Sequence, residues 1–60
     1  MKVSELWRLL ESAGCYIHRR GSNHDIWKSP ITGKTFPVSR HKTEDLKPKT
    51  LASIKEKAGI

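Results

Sequence analysis

The chain has 60 residues and carries 12 lysines and arginines against 6 aspartates and glutamates, which gives a formal net charge of +6. A chain of this length forms one domain at most, with a thin core, so we expect a single domain over residues 1–60. The positive charge favours a polyanionic partner such as nucleic acid, and no apolar segment is long enough to predict a membrane span or a signal peptide.

The first predicted element is a helix over residues 4–13. Ser4 is a candidate N-cap, and Gly14 is a natural stop after the last turn. Apolar residues at positions 6, 9, 10 and 13 recur at helical spacing. The segment therefore predicts an amphipathic helix that packs one face against a core.

Three short strands follow in the prediction, over residues 15–19, 25–28 and 35–38. Each contains β-branched or aromatic residues, and turn-forming residues separate them at 20–23 and 29–34. Proline lacks a backbone N–H, so Pro37 indicates that the third strand lies at an edge of the sheet or ends early.

The last predicted element is a helix from Pro48 to Ala58. Proline suits the first turn of a helix, and Gly59 provides the stop. The order is then α-β-β-β-α. We expect an α+β fold in which a three-stranded antiparallel sheet carries both helices on one face, because that arrangement buries every apolar stripe.

The single cysteine, Cys15, cannot form an internal disulfide, which is compatible with a reducing cytoplasm. It follows the glycine that ends the first predicted helix, and we expect it to be a small buried residue, not a nucleophile. The three histidines and this cysteine match no zinc-binding spacing, so no metal or cofactor site is predicted.

Four segments in register carry a further signal: SELWRLLESAG, RRGSNH, FPVSRH and DLKPKTLASIKEKAGI. Together they cover nearly the whole chain and resemble the HicA family of bacterial toxins. The resemblance implies a fold like that of double-stranded-RNA-binding domains, messenger-RNA endonuclease (mRNA interferase) activity in the bacterial cytoplasm, and a HicB-like antitoxin as partner. Ser39 and Lys49 depart from the family, which often has proline and glycine there, so we expect the local backbone to differ at both positions.

The same resemblance assigns catalysis to His24. RNA can be cleaved without a metal because its own 2′-OH is the nucleophile, provided that a base removes the proton. An imidazole suits this task because its unperturbed pKa of about 6.5 lies near neutrality. On spacing alone, a histidine tolerated at the surface of a turn is the more frequent case, and the match over the whole chain favours catalysis. His18, on the first predicted strand, is expected to be a solvated residue that points away from the core.

Eight residues on the turns or strand ends around His24 are candidate RNA contacts. They are Arg19, Arg20, Gly21, Ser22, Lys28, Arg40, His41 and Lys42. Basic residues commonly form only a solvated face, and Gly21 and Ser22 are more often turn formers than ligands. His41 could bind phosphate or donate a proton, or be merely structural. Trp7 is expected in the core, whereas for Trp27 core packing and base stacking remain equally open.

Two other functions fit the same composition. One is a non-catalytic module that binds double-stranded RNA, and the other is an interaction protein whose basic face serves only a protein partner. Recognition of shape and phosphate needs no imidazole behind a Gly-Ser turn. His24 therefore favours the toxin with endoribonuclease activity.

Overall fold

The computed structural model describes all residues, 1–60. Helix α1 spans Val3–Ser12, strands β1, β2 and β3 span Tyr16–Arg20, His24–Lys28 and Thr35–Ser39, and helix α2 spans Pro48–Ala58. The predicted order and fold class are confirmed, and each boundary lies within one residue of the prediction. Neither helix has the length and apolar composition of a membrane span.

The sheet has the order β1-β2-β3 and both strand pairs are antiparallel, so β3 is an edge strand, as Pro37 indicated. Buried residues alternate along β2 and β3, with Asp25 paired to Val38 and Trp27 paired to Phe36. Because side chains alternate between the two faces of a strand, these four share one face. In β1 the register shifts between Ile17 and Arg19, which leaves His18 in a bulge.

The core lies between this face and the two helices. α1 contributes Val3, Leu6 and Leu10, and α2 contributes Ile54 and Ala58. Their partners in the same cluster are Cys15, Trp27, Phe36 and Val38. Both helices therefore pack on one face of the sheet. The buried side chain of Cys15 confirms the role expected for it, and the burial of Trp27, for which core packing and base stacking were both open, places it in the core.

The start of α1 differs from the prediction. Lys2, not Ser4, is the N-cap residue, and its N–H donates to Glu5 Oε1 at 3.2 Å. The amides of Val3 and Ser4 donate instead to the carbonyls of Glu44 and Lys42, at 2.9 and 3.1 Å. The loop before α2 thus satisfies the first turn of α1, and the hydroxyl of Ser4 is not needed there.

The turn between β2 and β3 holds the carboxyl end of α2. Ser29 Oγ donates to the Ala58 carbonyl at 2.7 Å, and Thr32 Oγ1 donates to the Lys57 carbonyl. Gly59 ends the helix with φ of +79°, and a Cβ there would lie 2.9 Å from Ile31 and Thr32. These contacts fix the end of α2 at one end of the sheet and direct its amino end towards the other, where His24 lies.

Candidate active site

The turn between β1 and β2 brings its glycine very close to the next strand. A Cβ on Gly21 would overlap the carbonyl oxygen of His24, although the φ of Gly21 lies in the ordinary range. Only glycine therefore fits, for reasons of space. Gly21 is thus needed to form the turn, because β2 begins directly after the chain reverses and leaves no space for a side chain at this position.

His24 is the first residue of β2 and is paired with Ser39 of β3. Its side chain is exposed, and the imidazole makes no hydrogen bond within the protein. It lines a surface groove of about 320 Å³ together with residues of β3, of the following loop and of α2: Pro37, Ser39, Glu44, Leu46, Thr50 and Ile54. The side chain of His24 is therefore accessible from solvent and borders this groove.

The amino end of α2 borders the same groove through Thr50. The first backbone hydrogen bond of the helix is donated by Leu51 to the Lys47 carbonyl, so the amides of Lys49 and Thr50 have no partner. Unpaired amides at a helix start attract anions. Glu44 also lines the groove and opposes this attraction, while it accepts a hydrogen bond from Ser39 Oγ at 3.4 Å.

Asp25 lies next to His24 in the chain but points to the helix side of the sheet. Its carboxylate oxygens pair with Arg20 Nη1 at 3.6 Å and with Arg40 Nε at 3.7 Å. Arg40 also donates through Nη1 to the carbonyls of Gly21 and Ser22, at 2.9 and 3.4 Å. Arg40 therefore fixes the turn that precedes His24, and the charge of Asp25 attracts Arg40 across 3.7 Å without a hydrogen bond.

The other candidate RNA contacts lie in two places. Arg19 pairs with Ile26 on the face that carries no helix, and Lys28 shares that face at the far end of β2, about 13 Å from His24 by the rise of a strand. His41 and Lys42 lie in the exposed loop after β3, tied by bonds from the His41 amide to Ser39 Oγ and from the Ser4 amide to the Lys42 carbonyl. The structure thus groups Arg20, Gly21, Ser22 and Arg40 at the turn before His24 and separates Lys28 from them.

Sequence reasoning did not single out Asp25. The alternation of β2 places Asp25 on the same face as Trp27, and the structure shows that both are buried. A buried carboxylate requires positive partners, and Arg20 was the nearest in the predicted hairpin. Arg40 could not be found in this way, because its approach depends on how β3 ends. No group of three or more histidine, cysteine, aspartate or glutamate side chains is placed to hold a metal ion.

This chain adopts a small α+β fold, in which a three-stranded antiparallel sheet carries two helices on one face. Its identity follows from comparison with known families. The family model described as the HicA toxin of bacterial toxin–antitoxin systems matches residues 3–60, and the chain belongs to this family. Membership gives it a toxin role and implies an antitoxin partner and an RNA target. Neither the curated proteins nor the solved structures gave a significant match.

Proposed function

We propose that this toxin is an endoribonuclease that cleaves messenger RNA without a metal ion, and that His24 is its general base. The observation that carries the proposal is the placement of His24. It is exposed in a groove at the start of a central strand, behind a turn that Gly21 and Arg40 fix. A group held in this way can meet a phosphodiester without having to be ordered first.

The chemistry needs one covalent step at phosphorus. The 2′-oxygen attacks the adjacent phosphate as His24 takes its proton, a bond from phosphorus to the 2′-oxygen forms, and the bond to the 5′-oxygen breaks. The products are a 2′,3′-cyclic phosphate and a 5′-hydroxyl, so a second group must protonate the leaving oxygen. His41 is our candidate for that acid, because it lies two residues beyond Ser39, the partner of His24 in the sheet.

Negative charge accumulates on the phosphate in the transition state and requires positive groups nearby. The unpaired amides at the start of α2 border the groove. Arg20 pairs with Asp25 on the helix side of the sheet and keeps 68% of its side chain exposed, so it can contact a phosphate that lies beyond the turn. Arg40 donates hydrogen bonds to the turn, so we propose that its main role is to position the turn and that phosphate binding is its secondary role.

The test is cleavage of total RNA in excess chelator by wild type, His24→Ala and His18→Ala. His18 is an exposed imidazole on the neighbouring strand and provides the matched control. Loss of one acid–base group reduces a rate by about 10² to 10⁴, so His24→Ala should fall by that factor while His18→Ala stays near wild type. Circular dichroism should show that both variants keep the fold. Wild-type cleavage by His24→Ala, or cleavage that needs added Mg²⁺, would refute the mechanism.

We further propose that a HicB-like antitoxin neutralises the toxin by covering the surface around His24. An exposed basic surface suits an acidic partner, and a catalytic group on it must be masked while the antitoxin is present. The complex should protect RNA, and Arg19→Glu should weaken it more than Arg8→Glu on α1. Equal affinity of both variants for the antitoxin would move the masking surface to the helices.

A further inference from the structure

One face of the sheet carries neither helix, and the strand register arranges its side chains in rows. The first row is Tyr16, Lys28 and Thr35, the second is Arg19, Ile26 and Pro37, and the third is His24 with Ser39. We call these eight residues the open face. Tyr16 is 49% exposed, and Arg19, His24, Thr35 and Pro37 are also exposed. His24, the proposed catalytic base, thus stands at one end of an accessible strip.

The open face carries two permanently charged residues, Arg19 and Lys28, and no acidic residue of its own, although Glu44 of the following loop reaches its end through a hydrogen bond from Ser39 Oγ at 3.4 Å. The only acid within the three strands, Asp25, faces the helices and is already paired with Arg20 and Arg40. Arg19 and Lys28 have no such partner, so their charge is available to an anion. A polyanion is the complement of this strip.

The open face also offers surfaces for bases. Tyr16 is paired with Lys28 across the two strands, so an aromatic residue and a lysine leave the sheet on the same face. Half-buried Ile26 occupies the centre between Arg19 and Pro37. Aromatic rings with neighbouring cations are the elements with which sheet surfaces bind unpaired bases and their phosphates.

Dimensions favour a single strand over a duplex. Successive rows are about 6.6 Å apart, which suits the repeat of an extended nucleotide chain, and the strip is about 13 Å long. A module that reads duplex RNA by shape contacts about 16 base pairs, or roughly 45 Å of helix. The longest dimension of this molecule is 26 Å. The strip of about 13 Å covers less than a third of the roughly 45 Å that such a module contacts, which suits a short single-stranded segment.

We propose that a single-stranded RNA segment lies along the open face, with one base stacked on Tyr16, its phosphates held by Arg19 and Lys28, and the scissile phosphate at His24. The proposal depends on the proposed function for the nature of the ligand. It adds the path that the segment takes across the sheet. It also gives Tyr16 a binding role.

The experiment measures RNA binding in the His24→Ala background, so that cleavage does not interfere. Fluorescence anisotropy compares a labelled single strand of about 12 nucleotides with the same strand annealed to its complement. Tyr16→Ala should weaken single-strand binding about tenfold, and Tyr16→Phe should restore it because the ring remains. Arg19→Ala and Lys28→Ala should each reduce the log–log salt slope by about 0.7. Arg8→Ala removes the same charge from α1 and should leave the slope unchanged.

Three results would overturn the path. The first is that the Tyr16, Arg19 and Lys28 variants bind the single strand as tightly as Arg8→Ala does. The second is that the protein binds the duplex as tightly as the single strand. The third is that the open-face variants lose binding to the antitoxin but keep binding to RNA. The second would assign the protein to duplex recognition, and the third would assign the face to a protein. Expected losses together with an inactive wild type would sustain the path and refute the endonuclease proposal, so the two fail separately.

Discussion

Replacing Asp25 by asparagine should lower the stability of the domain and loosen the turn before His24. The substitution keeps the shape of a side chain that is 9% exposed and removes its charge. Breaking a buried ion pair costs about 3–5 kcal/mol when the partner is left buried. Here Arg20 and Arg40 are 68% and 43% exposed, so solvent takes over part of the lost interaction. We therefore expect a loss of about 1–2 kcal/mol in the free energy of unfolding.

In a domain of this size, that loss lowers the melting temperature by roughly 10 °C, which differential scanning calorimetry resolves easily. Asp45→Asn is the matched control, because it makes the same chemical change in a carboxylate that is 75% exposed and paired with Lys2 at 3.4 Å. An exposed pair of this kind contributes about 0.5 kcal/mol. Asp25→Asn should also slow RNA cleavage about tenfold, because Arg40 no longer has a fixed position from which to hold the turn.

The double variant tests the coupling. Because Arg40 acts through Asp25, the losses from Asp25→Asn and Arg40→Ala should not add, and the shortfall should be about 1 kcal/mol. If Asp25→Asn has the same melting temperature as the Asp45→Asn control and cleaves RNA at the wild-type rate, Asp25 does not position the turn.

Other perturbations follow from single contacts. Gly21→Ala should abolish cleavage and shift the amide resonances of the turn, because its Cβ meets the His24 carbonyl. Gly33→Ala is the control: its Cβ meets open space, so the variant should cost only about 1–2 kcal/mol of backbone strain and leave cleavage intact. Equal activities of the two would show that the turn tolerates a Cβ. Trp7→Phe removes the indole N–H that donates to the Ser39 carbonyl at 3.3 Å, and calorimetry should show a loss of about 1 kcal/mol. RNA affinity should fall with salt along a log–log slope of about −3 if four or five phosphates are held, and a flat dependence would exclude phosphate contacts.

The helices and strands could be predicted from the sequence because their signals are local. Pro48 and Gly59 bound α2 at the residues where the structure places its limits. The N-cap of α1 was predicted wrongly at Ser4, since the groups that satisfy the first turn come from a loop about 40 residues away. The bulge at His18 also escaped prediction, because alternation in a short strand carries no sign of an extra residue.

The candidate site divides in the same way. His24 could be proposed from the resemblance of whole segments, and its exposure at a strand start fits that role. The sequence could not predict that Arg19 and Lys28 lie apart from Arg20 and Arg40. That separation depends on the strand register and on the side of the sheet that each arginine reaches. One basic cluster in the sequence is thus two groups in the fold. Arg20 and Arg40 pair with Asp25 on the helix side of the sheet, and Arg19 and Lys28 lie on the face that carries no helix.

The chemistry of the cleaved ends tests the central claim most directly. A labelled RNA cut by the wild-type protein in excess chelator should be analysed by mass spectrometry at both new termini. The account predicts a 2′,3′-cyclic phosphate on one fragment and a 5′-hydroxyl on the other, both absent with His24→Ala. A 3′-hydroxyl with a 5′-phosphate would mean that water, not the 2′-OH, attacks phosphorus, and would contradict the role assigned to His24.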